Sequence, residues 1–113
     1  MANGDQLLRA HARLQALKAN LPEMYEVEDS WVLEFHECLA NVESATAMHL
    51  DEFRVPQRAV KRSIDGGNYI TGEVTYRDGL WCERTVLLQR IDSVLLYFQG
   101  LQSGQEKRIG FHK

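Results

Sequence analysis

Apolar residues recur at helical spacing most strongly near the C-terminus. Between Glu83 and Gly100, six of them follow the spacing that gathers side chains on one face of a helix: Leu87, Leu88, Ile91, Val94, Leu95 and Phe98. Gly100 suits the left-handed position that ends a helix, so we predict a core helix at about 83–99. Further apolar residues lie off that face, which indicates that the helix is covered on more than one side.

A first helix is predicted near the N-terminus. Five apolar residues step by three and four positions, as on the packed face of a helix: Leu7, Ala10, Leu14, Leu17 and Leu21. Because Pro22 disfavours the helical conformation in the residue before it, the predicted helix covers about 5–20. The same spacing occurs at the seam of coiled coils, so packing on a neighbour within the chain has a dimer seam as its alternative.

Between these two lies a second predicted helix, at about 30–52. Ser30 is a suitable N-cap, and an apolar face extends beyond it as far as Phe53. Cys38 and His49 lie on that face. We therefore expect Cys38 to be a small buried side chain and His49 to be a core histidine with a polar partner, the alternative for His49 being a place in an interface.

The segment between the second and third helices favours β structure. Asp65-Gly-Gly is a turn signal, the residues from Asn68 to Tyr76 favour strands, and Asp78-Gly is a hairpin signal. We therefore predict a small antiparallel ribbon at about 68–82, and a polar C-terminal tail at 101–113 that packs on the core or extends the ribbon. The predicted fold class is α+β, predominantly α, with three helices and the ribbon between the second and third.

Length and composition indicate one small domain, residues 1–113. The net charge of -3 argues against disorder and against nucleic-acid binding over the whole surface. No apolar run reaches the roughly 20 residues that cross a bilayer, and the first residues lack the features of a secretory signal. We therefore expect a cytoplasmic protein without membrane contact, in which Cys38 and Cys82 are thiols.

Charge is divided between two parts of the chain. No Lys or Arg occurs from Ala19 to Phe53, where acidic residues concentrate, whereas four cations fall within Arg54–Arg62. The cations of that segment and of the C-terminal tail form the candidate interaction surface: Arg54, Arg58, Lys61, Arg62, Lys107 and Arg108. The alternatives are a basic loop that neutralises the acidic helix before it, and a nucleic-acid site in which Tyr69, Tyr76 and Trp81 stack on bases.

The chain shows no catalytic or metal-binding motif. His36 and Cys38 are two positions apart, and such a pair points to different sides of a helix, so it does not predict a zinc site. Arg84 is placed unfavourably near the N-terminus of the last helix, and we predict an ion pair with Glu52 that locks the second helix onto the core helix. The sequence therefore predicts a protein that is not an enzyme and that binds no cofactor or metal.

Two segments give the chain a family resemblance. Leu50–Pro56 reads Leu-Asp-Glu-Phe-Arg-Val-Pro, and Lys107–Phe111 reads Lys-Arg-Ile-Gly-Phe after a helix that contains Leu-Tyr-Phe at 96–98. Over roughly residues 20–112 the chain resembles a group of small uncharacterised bacterial proteins that carry a Leu-x-Glu-Phe-Arg-Ile-Pro segment. The resemblance implies a bacterial, cytosolic protein and indicates no activity.

Together these patterns favour a function in protein–protein interaction. Excess apolar surface on the first and last helices, the divided charge and the lack of a catalytic motif predict an interaction or accessory module of a bacterial assembly. Its partner is another protein or a second copy of the chain in a homodimer. The alternative is nucleic-acid binding through the basic segment 54–62 and the C-terminal tail, which requires those cations to converge on one face.

Overall fold

The computed structural model describes the backbone of residues 2–110 and the side chains of residues 6–100. Helices and strands follow one another in the order α1 (Ala2–Asn20), β1 (Glu26–Glu28), α2 (Asp29–Thr46), a 3₁₀ helix (Asp51–Phe53), a second 3₁₀ helix (Gln57–Ala59), β2 (Val60–Lys61), β3 (Ile64–Gly67), β4 (Val74–Tyr76), β5 (Trp81–Glu83) and α3 (Arg84–Gly110). The fold is mixed, mostly helical, and its strands are antiparallel. The predicted number of three helices is wrong, because short 3₁₀ helices follow α2.

The strands form two separate sheets where the sequence predicted one ribbon. The first sheet has the order β1-β5-β2, with Cys82 of β5 opposite Val27 on one side and Val60 on the other. Within the described part of the chain, the second sheet contains β3 and β4 alone. The predicted ribbon at 68–82 is therefore misplaced: its strands lie at 60–67 and 74–83.

Two local features explain that misplacement. Asn68, predicted to open a strand, instead forms a turn, because its side-chain Oδ1 accepts hydrogen bonds from the N–H groups of Ile70 and Thr71. Asp78 and Gly79 were predicted to form the tip of a hairpin. They instead redirect the chain from β4 to β5, with Gly79 in the left-handed region at φ 80°.

The ends of α2 also differ from the prediction. The helix begins at Asp29 after Glu28 as its N-cap, so Ser30 lies inside the first turn. It ends at Thr46 because Ala47 takes a left-handed conformation, φ 62°, while its N–H still donates to the Glu43 carbonyl at 3.0 Å. The periodic face that predicted a helix to about 52 therefore continues on a loop and a 3₁₀ helix.

The third helix continues through Gly100 as far as Gly110, so the predicted stop at Gly100 is wrong. Residues 101–110 of the predicted tail belong to the backbone of α3, and residues 111–113 lie outside the described part. Glycine lowers helix stability by only about 1 kcal/mol, and the sequence that follows is rich in helix-forming residues.

The core lies between the helices and the three-stranded sheet. Its buried side chains come from α1, α2 and α3 and from β1 and β5, and they include Leu14, Phe35, Leu39, Leu87, Ile91, Val27 and Cys82. The apolar faces predicted for the first and last helices are thus buried, and Cys38 is buried as expected.

His49 is exposed, so its prediction as a core residue is wrong: α2 has ended three residues before it. Within the described residues, no helix has the length and apolar character needed to cross a membrane.

Candidate interaction surface

A protruding β-hairpin is the main unpartnered element of the structure. The strands β2 and β5 are held in the three-stranded sheet, whereas β3 and β4 continue beyond it and, among the described residues, pair only with each other. We call residues 64–76 the hairpin arm. Every residue of the arm is exposed, including its apolar residues Ile64, Tyr69, Ile70, Val74 and Tyr76.

The base of the arm is fixed to β1 by polar contacts. The Ser63 hydroxyl donates a short hydrogen bond to Oε1 of Glu26, and the Arg77 guanidinium lies 4.0 Å from the same oxygen. The Arg77 N–H donates to the Ser63 carbonyl at 2.9 Å. Ser63 is buried, so this contact satisfies a polar group inside the protein and sets the direction in which the arm leaves it.

The tip of the arm is an ordered turn that presents apolar side chains. Asn68 accepts two backbone hydrogen bonds through its side chain, its carbonyl accepts from the Gly72 N–H at 2.8 Å, and its own N–H donates to the Glu73 carbonyl at 2.8 Å. Tyr69 and Ile70 nevertheless have relative exposures of 105% and 95%. The backbone of the tip is therefore satisfied internally, while its two largest side chains are left exposed by the described part of the protein.

Two arginine–aromatic stacks flank the base of the arm. The Arg62 guanidinium carbon lies 4.1 Å from the centre of the Tyr76 ring, and that of Arg77 lies 3.4 Å from the Trp81 ring. The Trp81 indole N–H donates to the Asp78 carbonyl at 2.9 Å. These stacks stiffen the base and occupy one face of each ring.

The six cations of the predicted interaction surface have different surroundings. Arg54 is held by two acids of its own chain, Glu43 and Asp51. Arg58 and Lys61 are exposed, and Arg62 stacks on Tyr76 at the base of the arm. The side chains of Lys107 and Arg108 lie outside the described part, so the predicted convergence of all six remains a prediction. Lys61 and Arg62 are the members that border the arm.

Arg54 belongs to a structural cluster at the end of α2. The Glu43 carboxylate accepts from both terminal nitrogens of Arg54 and from the Leu50 N–H at 2.7 Å. The hydrogen bond from Arg54, followed by that from Leu50, lowers the pKa of Glu43 from its ordinary value of 4.5 to about 2. The cluster attaches the loop that follows α2 to the helix, which explains why this cation is not free for a ligand.

His36 holds the next part of the same loop. Its Nε2 accepts a hydrogen bond from the Val55 N–H at 3.0 Å, so the ring is neutral at this nitrogen. Burial, and to a smaller extent the charge of Arg54, lowers the pKa of His36 below its ordinary value. Among the described residues, no group of three or more His, Cys, Asp or Glu is placed to hold a metal ion.

The predicted ion pair between Arg84 and Glu52 is not formed. Nε of Arg84 donates to the Pro22 carbonyl at 2.9 Å, because β1 and the segment before it lie against the start of α3. The contact between α3 and the Glu52 segment is made one turn and a half further along the helix, where Arg90 donates to the Glu52 carbonyl at 2.6 Å. An arginine does join the two elements, but it binds a backbone carbonyl instead of a carboxylate.

A shallow groove of about 570 Å³ lies between α1 and α2. Cys38 and Arg13 are among the residues that line it, and Arg13 lies 3.7 Å from Glu37 and 3.8 Å from Glu34. Burial raises the pKa of the Cys38 thiol, which disfavours the reactive thiolate. The groove therefore does not combine an activated nucleophile with a base.

Sequence reasoning placed the interaction surface on the basic segment and missed the hairpin arm. Its signals were present: Gly66-Gly67 and Asn68 with Gly72 flank the turn, and Tyr69 and Ile70 are apolar residues inside it. The sequence indicates a turn at Asp65-Gly-Gly, but it predicts a strand from Asn68 to Tyr76, in which Tyr69 and Ile70 would be half-buried. Comparison of the chain with models of protein families, with curated proteins and with solved structures finds no match.

Proposed function

We propose that the protein is a non-enzymatic protein–protein interaction module that contacts its partner with the hairpin arm. The observation that carries this proposal is the tip, where Tyr69 and Ile70 are fully exposed on a turn whose backbone is held by its own hydrogen bonds. An ordered backbone lowers the entropy that is lost on binding, and exposed aromatic and aliphatic anchors are typical of the residues that dominate interfaces.

The amount of exposed apolar surface supports the proposal. An aromatic side chain carries about 150–250 Å², so the five exposed apolar residues of the arm present on the order of 500 Å² on one small element. This is comparable with the largest apolar patch on a typical monomeric protein, which is often functional. An exposed two-stranded hairpin is also only marginally stable in water, and a partner would stabilise it.

Nucleic-acid binding is the alternative function, and the structure offers it less support. Arg54 is committed to Glu43 and Asp51, and the rings of Tyr76 and Trp81 already have an arginine on one face. The exposed cations Arg58 and Lys61 remain available to phosphates. Absorbance at 260 nm on the purified protein that is lost at high salt would favour this alternative over the interaction module.

A photo-crosslinking amino acid at position 69 tests the proposal. Position 33 on α2 is the matched control, because Leu33 is 63% exposed and lies outside the arm. We expect position 69 to give one discrete adduct in the expressing cell, either with another protein or with a second copy of the chain, and position 33 to give none. The partner identified by mass should then bind the purified chain, and the double substitution Tyr69→Ser and Ile70→Ser should abolish that binding.

Two results would contradict the proposal. One is that position 69 gives no discrete adduct with any protein. The other is that the double substitution at the tip leaves binding of the purified partner unchanged, since the arm would then not be the contact element.

A further inference from the structure

The orientation of the backbone groups of β4 follows from two hydrogen bonds at its ends. The Glu73 carbonyl accepts from Asn68 at 2.8 Å, and the Arg77 N–H donates to Ser63 at 2.9 Å. Both bonds point toward β3. In an antiparallel strand, the N–H and C=O groups of successive residues point to opposite sides. The backbone groups of residues 73, 75 and 77 therefore point toward β3, and those of residues 74 and 76 point away from it.

The outward positions are Val74 and Tyr76, and they form an open sheet edge. Among the described residues, β4 has β3 as its sole neighbour. Val74 and Tyr76 therefore direct their N–H and C=O groups to solvent. An open, regular edge of this kind is a template for another strand.

The other edge of the arm is less suited to pairing. The register of β3 shifts between Ile64 and Gly66, so that Asp65 has no opposite residue in β4. Gly67 follows, where an added side chain would meet the Glu73 carbonyl oxygen at 2.7 Å. A bulge and glycines are features that protect a sheet edge from further pairing. The β4 edge lacks them.

The sequence along the β4 edge is complementary to itself. Glu73-Val-Thr-Tyr-Arg77, placed antiparallel to a second copy with Thr75 opposite Thr75, sets Glu73 opposite Arg77 and Val74 opposite Tyr76, each pair occurring twice. Opposite charges, an aromatic with a β-branched residue, and two threonines are the cross-strand pairs that stabilise antiparallel sheets. The side chain of Arg77 keeps 30% exposure beside Trp81, so a second carboxylate can approach it.

We propose that a second copy of this chain binds along β4, with a two-fold axis at Thr75, to form a continuous four-stranded antiparallel sheet. This inference rests on the proposed function, because it names the partner of the hairpin arm. In this register Val74 of one copy and Tyr76 of the other exchange both backbone hydrogen bonds, and the two-fold axis repeats the exchange, giving four bonds. These bonds use the N–H and C=O groups of Val74 and Tyr76, which are the groups of β4 that point away from β3.

The same arrangement covers the apolar face of the arm. Ile64 is opposite Tyr76 in the β3–β4 pair, and Val74 lies two residues from Tyr76, so the three side chains share one face. The two-fold axis places the equivalent face of the second arm beside it. The tip of each arm also lies beside the base of the other, because the strands run in opposite directions. Four strands with a common apolar face are more stable than an isolated two-stranded hairpin.

The first measurement is the mass of the purified chain by light scattering across a concentration series. We expect a concentration-dependent change from the 13.0 kDa of one chain to twice that mass. Val74→Pro removes an outward N–H without removing a bond to β3, and the two-fold axis doubles its effect. It should weaken dimerisation at least about tenfold.

The second measurement tests the register. Thr75→Cys places two thiols at a pair whose Cα atoms are about 4.5 Å apart, within the range of a disulfide. With oxidised glutathione as oxidant, this variant should form a covalent dimer, whereas Thr71→Cys at the exposed tip should not. Native Cys38 and Cys82 are buried and provide a low background.

The outcomes separate this inference from the proposed function. A chain that stays monomeric at all concentrations overturns the inference, and the proposed function survives if position 69 still crosslinks to another protein. A dimer that Val74→Pro leaves intact, or that Thr75→Cys does not link, has its interface elsewhere and also overturns the inference. A β4-edge dimer is supported when both variants behave as expected.

Discussion

Glu43 is the acid on which the loop after α2 depends. Its carboxylate binds a guanidinium and a backbone N–H at the same time, and the pattern of apolar residues gives no sign of this role, since Glu43 lies among several acids that face solvent. Arg54 and Leu50 reach the Glu43 carboxylate only because α2 ends at Thr46 and the chain then turns back. At this scale the sequence predicted the burial of apolar residues and of Cys38 well, but it was wrong about His49 and predicted polar partners poorly.

We predict that Glu43→Gln lowers the free energy of unfolding by about 1–2 kcal/mol at pH 7, because a charge-assisted pair is replaced by neutral hydrogen bonds. The pKa of Glu43 is lower in the folded protein, about 2, than its ordinary value of 4.5. The stabilisation is therefore fully present above about pH 4.5 and is lost as the pH falls toward 2. Urea denaturation from pH 7 to pH 3 should show wild type and variant converging.

Glu34→Gln is the matched control for that experiment. Glu34 is an exposed carboxylate of the same helix, 3.8 Å from Arg13 of α1, and exposed pairs contribute little. A loss of stability as large for Glu34→Gln as for Glu43→Gln would show that general charge on α2, and not the cluster, is responsible.

Helix α3 shows the limit of sequence signals for the ends of elements. Its apolar face was predicted over about 83–99 because packing residues occur at regular spacing, and the structure buries five of the six and half-buries Leu88. Its C-terminal end was predicted at Gly100 because glycine commonly follows a helix, yet the helix continues to Gly110. A glycine permits either a stop or an uninterrupted helix, and the conformation it adopts depends on the residues around it.

We predict that Gly100→Ala raises the free energy of unfolding by up to about 1 kcal/mol. An added side chain at Gly100 meets no atom of the described residues within 4 Å, and alanine is favoured over glycine inside a helix. Gly79→Ala is a control with the opposite sign, because Gly79 has a φ of 80° that alanine adopts only with strain. Chemical denaturation measures both, and a loss of stability from Gly100→Ala would mean that the helix ends at that glycine in solution.

The described part of the molecule consists of a packed body and a hairpin arm that adds no buried apolar residue to its core. All the buried apolar residues of the described chain lie outside residues 64–76. The arm and the body are joined at Ser63 and Arg77, whose backbone groups are already hydrogen-bonded at 2.9 Å. The packed body therefore provides the stability of the fold, and the hairpin arm is the part proposed to contact a partner.

We predict that the arm can be removed without unfolding the body. Replacing residues 64–76 with Asn-Gly lets a two-residue turn connect Ser63 to Arg77. The free energy of unfolding should stay within about 1 kcal/mol of wild type, because no core contact is lost. Chemical denaturation measures this, and a body that no longer unfolds cooperatively would show that the arm is part of the folding unit.

The sequence by itself determined the mixed, mainly helical class, the buried faces of the helices and the burial of Cys38. These follow from the spacing of apolar residues, which local geometry converts directly into a face. Only the tertiary structure decided where α2 and α3 end, which acid binds Arg54, and that Asn68–Glu73 is a turn on an arm. Those outcomes depend on contacts between residues distant in the chain, or on competition between a side chain and the backbone for the same hydrogen bonds. A pattern of apolar and polar positions does not contain that information.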